Sequence, residues 1–116
     1  MKKLLLLLIL PIHLFAAAAW IPFAEDFFYD NNSIKVIGEN IRVVMYVNTS
    51  SGSKKNFVEF DCKNERLRFL NAIYYAKVNL KGDILTSSYE ASSWQYPNPD
   101  VTADEMLQGF CKRLKK

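Results

Sequence analysis

The sequence predicts an α+β fold: an antiparallel β-sheet of about six strands, with a C-terminal helix packed on one face and one disulfide. Three observations support this prediction. Short β-favouring runs alternate with turn residues through most of the chain. One amphipathic stretch with helical spacing follows them near the end. The two cysteines fall in a predicted strand and in this predicted helix, and both share a face with apolar side chains.

The first residues have the composition of a secretory signal peptide. Lys2 and Lys3 precede an apolar run over residues 4–15, and four alanines then offer a cleavage site. A transmembrane helix would need about 20 apolar residues, and the apolar run here is shorter. We therefore expect residues 1–19 to be a signal peptide, residues 20–116 to form a single domain, and the product to be periplasmic or secreted. No cysteine stands at the cleavage region, so no stable membrane anchor is expected after cleavage.

The N-terminal third of the domain is predicted to be an edge segment followed by a hairpin. Pro22 cannot donate to a neighbouring strand, which favours a strand edge or a strand end for residues 20–24 over a central strand. Residues 25–29 and 33–37 are β-favouring, and the Asp and Asn residues between them are typical of a turn.

The middle of the chain is predicted to be a strand, a loop and two further strands. Residues 41–47 alternate as a strand, whereas residues 48–55 are polar and are predicted to be a flexible loop. The inward-facing side chains of the first strand are Ile41, Val43, Met45 and Val47. A long strand over residues 66–75 should contain a bulge near Asn71, because Leu70 breaks its alternation.

The strand over residues 57–63 carries the first cysteine. Alternation places Cys62 on the same face as Val58 and Phe60, with the charged side chains on the other face. Cys62 is therefore predicted to point into the core.

A tight turn, a weak strand and a connector follow. Residues 81–83 contain a glycine and an aspartate and are predicted to be the turn, and residues 84–89 the strand. Prolines force residues 94–99 into an extended connector, whose Trp94 and Tyr96 are expected to cover the seam between helix and sheet.

The helix is predicted over residues 102–114. Thr102 and Glu105 have the spacing of a capping box at its start. Its apolar stripe consists of Ala103, Leu107, Phe110, Cys111 and Leu114.

Two inward-facing cysteines in an exported chain predict a disulfide between Cys62 and Cys111 that holds the helix on the sheet. A bridge that closes a loop of about fifty residues should stabilise the fold by about 4 kcal/mol. The alternative is a reactive thiol, but the chain has no Cys-x-x-Cys motif.

Composition argues against several functional classes. Loss of Lys2 and Lys3 lowers the formal charge from +3 to about +1, so nucleic-acid binding is not expected. His13 is the only histidine and lies in the signal segment, which argues against Ser/His/Asp or Cys/His catalysis and histidine metal sites. With four glycines and no phosphate loop, we expect no catalytic residues, cofactor or metal, and no enzyme activity.

Several motifs, taken in order, resemble the surface-adhesin protein E family of small exported bacterial proteins. They are Trp20, Phe28-Tyr29-Asp30-x-x-Ser33-Ile34, Arg42-Val43-Val44-Met45-Tyr46, Phe60-Asp61-Cys62 with Arg66-x-Arg68, Gly82-Asp83-Ile84, Trp94 and Cys111. The resemblance covers roughly residues 20–112. It implies an antiparallel sheet with a C-terminal helix, a disulfide between Cys62 and Cys111 and, from the family's named member, adhesion to host matrix proteins and a homodimer.

A candidate protein-binding face follows from the strand alternation. Side chains that project from neighbouring strands away from the core combine arginine and tyrosine, which are enriched at interfaces. They are Arg42, Tyr46, Arg66 and Arg68. The alternative is a solvated face on which the arginines pair with Glu59 or Asp61 across the strands.

The sequence therefore predicts an exported, adhesin-like protein-binding module that uses a sheet face or edge to bind a host or envelope protein. One alternative is a periplasmic inhibitor, for example of lysozyme, or a housekeeping factor, although the Ser-Ala-Ser-Gly-like loop of lysozyme inhibitors is missing. Another is haem binding, which would require tyrosine or methionine ligands.

Overall fold

The computed structural model describes residues 17–112 and contains a seven-stranded antiparallel sheet with one α-helix against one face. In chain order the strands are β1 (Trp20–Ala24), β2 (Phe27–Asp30), β3 (Lys35–Ile37), β4 (Asn40–Thr49), β5 (Gly52–Asp61), β6 (Arg66–Lys77) and β7 (Lys81–Ser88). The helix, α1, spans Thr102–Cys111. The predicted fold class is confirmed. The predicted signal segment lies almost wholly outside the described residues, as does Leu114.

The strands follow the order β1-β2-β4-β5-β6-β7, and β3 pairs with β4 beside this path. The predicted hairpin between β2 and β3 is wrong, because both strands pair with β4. The 3-10 turn Asn31–Ser33 offsets the chain without reversing it, so β2 and β3 lie end to end. Ser33 Oγ donates to the Asp30 carbonyl and accepts from the Val44 N–H, each at 2.8 Å, and so bridges the gap between the two short strands.

The predicted loop over residues 48–55 is also wrong, because β4 and β5 stay paired until Thr49 meets Gly52. A Cβ at Gly52 would overlap the Tyr75 carbonyl oxygen, and its φ of +146° is unfavourable for other residues. Ser53 Oγ donates to the Lys77 carbonyl at 2.7 Å. The polar residues therefore bind the end of β6 and extend the hairpin.

The long strand β6 contains the predicted bulge. Its register against β5 shifts between Phe57 and Val58, which pair with Asn71 and Phe69, so Leu70 has no partner. Because Leu70 is an extra residue, the side chains of β6 beyond it stay in step with those of β5 on each face of the sheet.

The predicted turn over residues 81–83 lies three residues too late. The chain reverses at Val78–Leu80, where Asn79 and Leu80 have φ values of 58° and 61°. Residues 81–83 already belong to β7, and the register against β6 is irregular there.

The core lies between the sheet and α1. Its buried sheet residues are Ile41, Val43, Met45, Val58, Phe60 and Leu67, and its buried helix residues are Met106, Leu107, Phe110 and Cys111. The predicted disulfide is confirmed: Cys62, just after β5, bonds to Cys111 in the last turn of α1. The C-terminal half of the helix is thus covalently held on the sheet.

The predicted capping box is wrong. Val101 precedes the helix and makes no side-chain capping hydrogen bond. Thr102 is already the first helical residue, so its hydroxyl is not at the capping position.

Candidate functional site

The predicted binding residues Arg42, Tyr46, Arg66 and Arg68 lie on the side of the sheet opposite α1. β4 supplies Arg42 and Tyr46, and β6 supplies Arg66 and Arg68. Ile41 is fully buried on the helix side of the sheet. Because side chains alternate along a strand, its neighbour Arg42 points away from the helix. We call these four residues the Arg/Tyr face.

Two carboxylates of β5 stand between the arginines. The register places Glu59 opposite both Arg42 and Arg68, and Asp61 opposite Arg66. Arg68 Nη2 lies 2.8 Å from Glu59 Oε1, and Arg66 Nε lies 2.8 Å from Asp61 Oδ2. Arg42 Nε is 3.8 Å from Glu59 Oε2. Two carboxylates thus compensate two of the three positive charges, and Arg42, whose buried Nε has no hydrogen-bond partner, has the weakest of the three contacts.

Glu59 is the most enclosed charge of this cluster, with 4 % of its surface exposed. Burial alone would raise the pKa of its carboxyl. Hydrogen bonds donated by Asn40 and Arg68, together with the charges of Arg68 and Arg42, outweigh burial and hold that pKa below its ordinary value. Glu59 is therefore ionised at neutral pH.

Asp61 has a similar environment at the end of the strand. Burial opposes its ionisation, but hydrogen bonds from Asn64 and Arg66 and the charge of Arg66 lower its pKa. The hydrogen bond to Asp61 in turn raises the pKa of Arg66. Each partner thus stabilises the charged form of the other.

Trp94 covers two of the arginines from the solvent side. The guanidinium carbons of Arg66 and Arg68 lie 4.1 and 4.4 Å from its ring centroid, which is cation–π distance. Arg66 also donates to the Tyr96 hydroxyl at 3.3 Å. The expectation that Trp94 and Tyr96 cover the seam between helix and sheet is therefore wrong, because they lie on the opposite face.

The connector that carries Trp94 is fixed to the edge of β6. Leu67 and Gln95 exchange two backbone hydrogen bonds of 3.0 and 2.8 Å, and the Ser92 N–H donates to the Phe69 carbonyl at 2.8 Å. The connector therefore acts as a short extra strand beside the half of β6 that β7 does not reach.

Tyr46 is separated from the arginines and enclosed by aromatic rings. Phe28 stacks on it and Trp20 meets it edge-on, each at 4.7 Å between centroids. Its hydroxyl donates to Asn79 Oδ1 at 3.3 Å, and burial raises its pKa. The structure thus brings Arg42, Arg66 and Arg68 together but leaves Tyr46 buried, with 7 % of its surface exposed.

A second exposed surface, the edge strand β7, was not predicted from the sequence. All eight of its residues are exposed, and no described strand pairs with its outer edge. Ile84 and Leu85 are 57 % and 64 % exposed. The signal was present in the sequence: adjacent apolar residues on one strand cannot both face the same core.

The described residues contain no group of three or more His, Cys, Asp or Glu that could hold a metal ion. The α-helix in residues 17–112 is too short to cross a membrane. The family model described as surface-adhesin protein E matches residues 20–112. No curated protein shows a significant match to the chain.

Proposed function

Because the chain belongs to the surface-adhesin protein E family, we propose that it is an exported, adhesin-like module that binds another protein through the edge strand β7. The observation that carries this proposal is the open outer edge of β7 with its exposed apolar side chains. An extended segment of a host protein, an envelope protein or a second copy of the chain can add to such an edge through backbone hydrogen bonds. Exposed residues such as Ile84 and Leu85 would supply contacts specific to the partner.

The other edge of the sheet is less suited to this role. β1 has five residues and contains Pro22, which cannot donate a hydrogen bond. β7 has eight residues, and its last five are uncharged. Proteins commonly protect an edge with prolines or charges, so the exposed end of β7 is the better candidate for pairing.

The Arg/Tyr face supports the proposal less directly. Arg66 and Arg68 are paired with carboxylates and covered by Trp94. A partner would have to compete with these contacts before using the arginine charges. We therefore propose the edge strand β7, and not this face, as the main binding surface.

A matched pair of variants tests the edge. Ile84→Lys with Leu85→Lys places two charges on β7, whereas Val36→Lys with Ile37→Lys does the same on β3, whose side chains are 55 % and 48 % exposed. Binding to immobilised matrix proteins and self-association by light scattering are measured for both. We expect the β7 variant to lose at least tenfold in affinity and the β3 variant to bind normally.

Equal binding by the wild-type protein and the β7 variant would refute the assignment to the edge, as would equal losses in both variants. All four positions are at the surface, so both variants should unfold within about 0.5 kcal/mol of the wild type. Urea denaturation checks this before binding is compared.

Cell fractionation with protease treatment of whole cells tests the location. An adhesin must be accessible to protease added from outside. Retention in the periplasm would contradict adhesion and favour an inhibitor or housekeeping role there.

A further inference from the structure

Arg42 is poorly compensated on the side of the sheet opposite α1. Arg68 and Asn40 each bind one oxygen of Glu59 at 2.8 Å. Arg42 Nε stays 3.8 Å from Glu59 and has no hydrogen-bond partner among the described residues. The register places Lys35 of β3 directly opposite Arg42, and like charges at opposite positions repel each other. Lys35 and Arg42 therefore carry positive charge that this part of the sheet does not neutralise.

A third cation, Lys55, lies on the same side of the sheet. It is paired in register with Tyr46 of β4, so the two side chains share a face. No Asp or Glu among residues 17–112 forms an ion pair with Lys35 or Lys55. The same residues contain twelve acidic and ten basic side chains, so the positive charge here is local and not a property of the whole chain.

An apolar recess of about 220 Å³ lies between these cations. It is lined by Val44, Lys55, Asn56, Phe57, Asn71 and Ile73. Val44 lies opposite Phe57, and Ile73 lies opposite Lys55. The three apolar side chains are partly exposed, so a partner can reach them. We use the name cationic recess for Lys35, Arg42, Val44, Lys55, Phe57 and Ile73.

The charges and the apolar side chains of the cationic recess follow each other at regular steps along β4. Arg42, Val44 and Tyr46 are spaced by about 6.6 Å, and Lys55 lies beside Tyr46. The order is therefore positive, apolar, positive. Side chains four residues apart on an α-helix share a face and are about 6 Å apart along the axis. A helix satisfies its own backbone hydrogen bonds, so it can lie on a sheet face where a single strand would leave its own unpaired.

We propose that the cationic recess binds an amphipathic helix of a partner protein, with acidic, apolar and acidic side chains four residues apart. The first carboxylate pairs with Lys35 and Arg42, and the second with Lys55. The apolar side chain covers Val44 and Phe57. Charge complementarity sets the orientation and the selectivity, and removal of apolar surface from water adds affinity. This surface is separate from β7 and does not depend on strand pairing there.

Fluorescence anisotropy with the full exported protein and a labelled, alanine-rich peptide of about twenty residues tests the proposal. The peptide carries Glu, Leu and Glu four residues apart. One control peptide has lysine in place of both glutamates, and the other has glutamine in place of the leucine. We expect saturable binding of the first peptide and at least tenfold weaker binding of both controls.

Absence of saturable binding would overturn the proposal, as would equal affinity for the lysine peptide. Equal affinity for the glutamine peptide would show that the surface recognises negative charge alone, as an anionic glycan supplies it, and would also overturn the proposal.

Two double variants with the same change in net charge test the position of the carboxylates. Lys35→Glu with Lys55→Glu reverses two charges of the cationic recess. Lys63→Glu with Lys112→Glu reverses two exposed charges outside it, one after β5 and one after α1. The first variant should bind the Glu-Leu-Glu peptide at least tenfold more weakly than the wild type, and the second should not. Equal losses in both would refute the assigned ion pairs.

Methyl NMR signals locate the peptide. In a titration with the Glu-Leu-Glu peptide, the methyl groups of Val44 and Ile73 should shift as the site fills, whereas those of Ile84 and Leu85 on β7 should not. If Val44 and Ile73 do not shift while the peptide binds, the helix lies elsewhere and the assignment to the cationic recess is wrong.

Discussion

Replacing Glu59 by glutamine should destabilise the protein by about 2–3 kcal/mol, because a buried hydrogen bond to a charged group is worth about 1.5–3 kcal/mol. Glu59 accepts from Asn40 at 2.8 Å and from Arg68 at 2.9 Å. The glutamine keeps the shape of the side chain but turns an amide N–H₂ toward a guanidinium. The arginines are about one third exposed, so solvent compensates part of the loss.

The same substitution should change how stability depends on pH. The pKa of Glu59 is lower in the folded protein than in the unfolded chain, so the unfolded chain takes up the proton first. The stabilisation is therefore fully present above the unfolded pKa, which is about 4.3 for glutamate, and is lost as the pH falls through the folded value. Glu59→Gln should be less sensitive to acid than the wild type, and Asp61 should supply the remaining sensitivity.

Urea denaturation at pH 7 and at pH 3 measures both effects. We expect the gap between wild type and Glu59→Gln to be large at pH 7 and to narrow at pH 3. Glu25→Gln, at an exposed position, is the control and should match the wild type at both values. A variant within about 0.5 kcal/mol of the wild type at pH 7 would refute the stabilising role of the cluster, because that is the scatter of ordinary surface changes. A difference in unfolding free energy between wild type and Glu59→Gln that is the same at pH 7 and at pH 3 would refute it as well.

Three further predictions concern the core and the hairpin. Replacing Cys62 and Cys111 by serine should cost about 4 kcal/mol, and reductant should then no longer shift the melting temperature, as it does in the wild type. Phe110→Ala should cost about 3–5 kcal/mol in urea denaturation, because its ring packs on Phe60 at 5.2 Å and on Tyr29 at 5.1 Å; a cost below 1 kcal/mol would contradict this packing. Gly52→Ala should cost about 1–3 kcal/mol and increase hydrogen exchange at the end of the β4–β5 hairpin, whereas unchanged exchange would show that a Cβ is tolerated there.

The features predictable from the sequence are those that depend on periodicity. Alternation along β4 identified Ile41, Val43 and Met45 as core residues, and helical spacing identified Leu107, Phe110 and Cys111. The same alternation placed Arg42, Arg66 and Arg68 on the opposite face. These patterns work because burial on one side of a strand or helix is a local property of the sequence.

The features that were mispredicted depend on partners distant in sequence. Ser53 and its polar neighbours resemble a loop, but their hydrogen bonds to the end of β6 make them a strand. Thr102 and Glu105 have the spacing of a capping box, but Thr102 is already the first helical residue, so its hydroxyl is not at the capping position. Trp94 was expected at the seam between helix and sheet, but the pairing of Gln95 with Leu67 places it on the opposite face. Polar character alone cannot distinguish a residue bonded to water from one bonded to a distant strand.

The candidate site shows the same division. Composition identified the arginines, but only the register of β5 between β4 and β6 shows that Glu59 serves two of them. The adjacent apolar residues Ile84 and Leu85 indicate that one of them faces away from the core, but the edge position of β7 depends on strand order, for which the sequence contains no local signal.

Different kinds of contact cover the two faces of the sheet. On one side a sulfur–sulfur bond fastens the helix, and on the other a layer of ion pairs lies beneath an indole ring. A reducing environment would therefore loosen the first side and leave the second intact, whereas acidity would do the reverse. Either stress alone would therefore leave one face of the sheet covered.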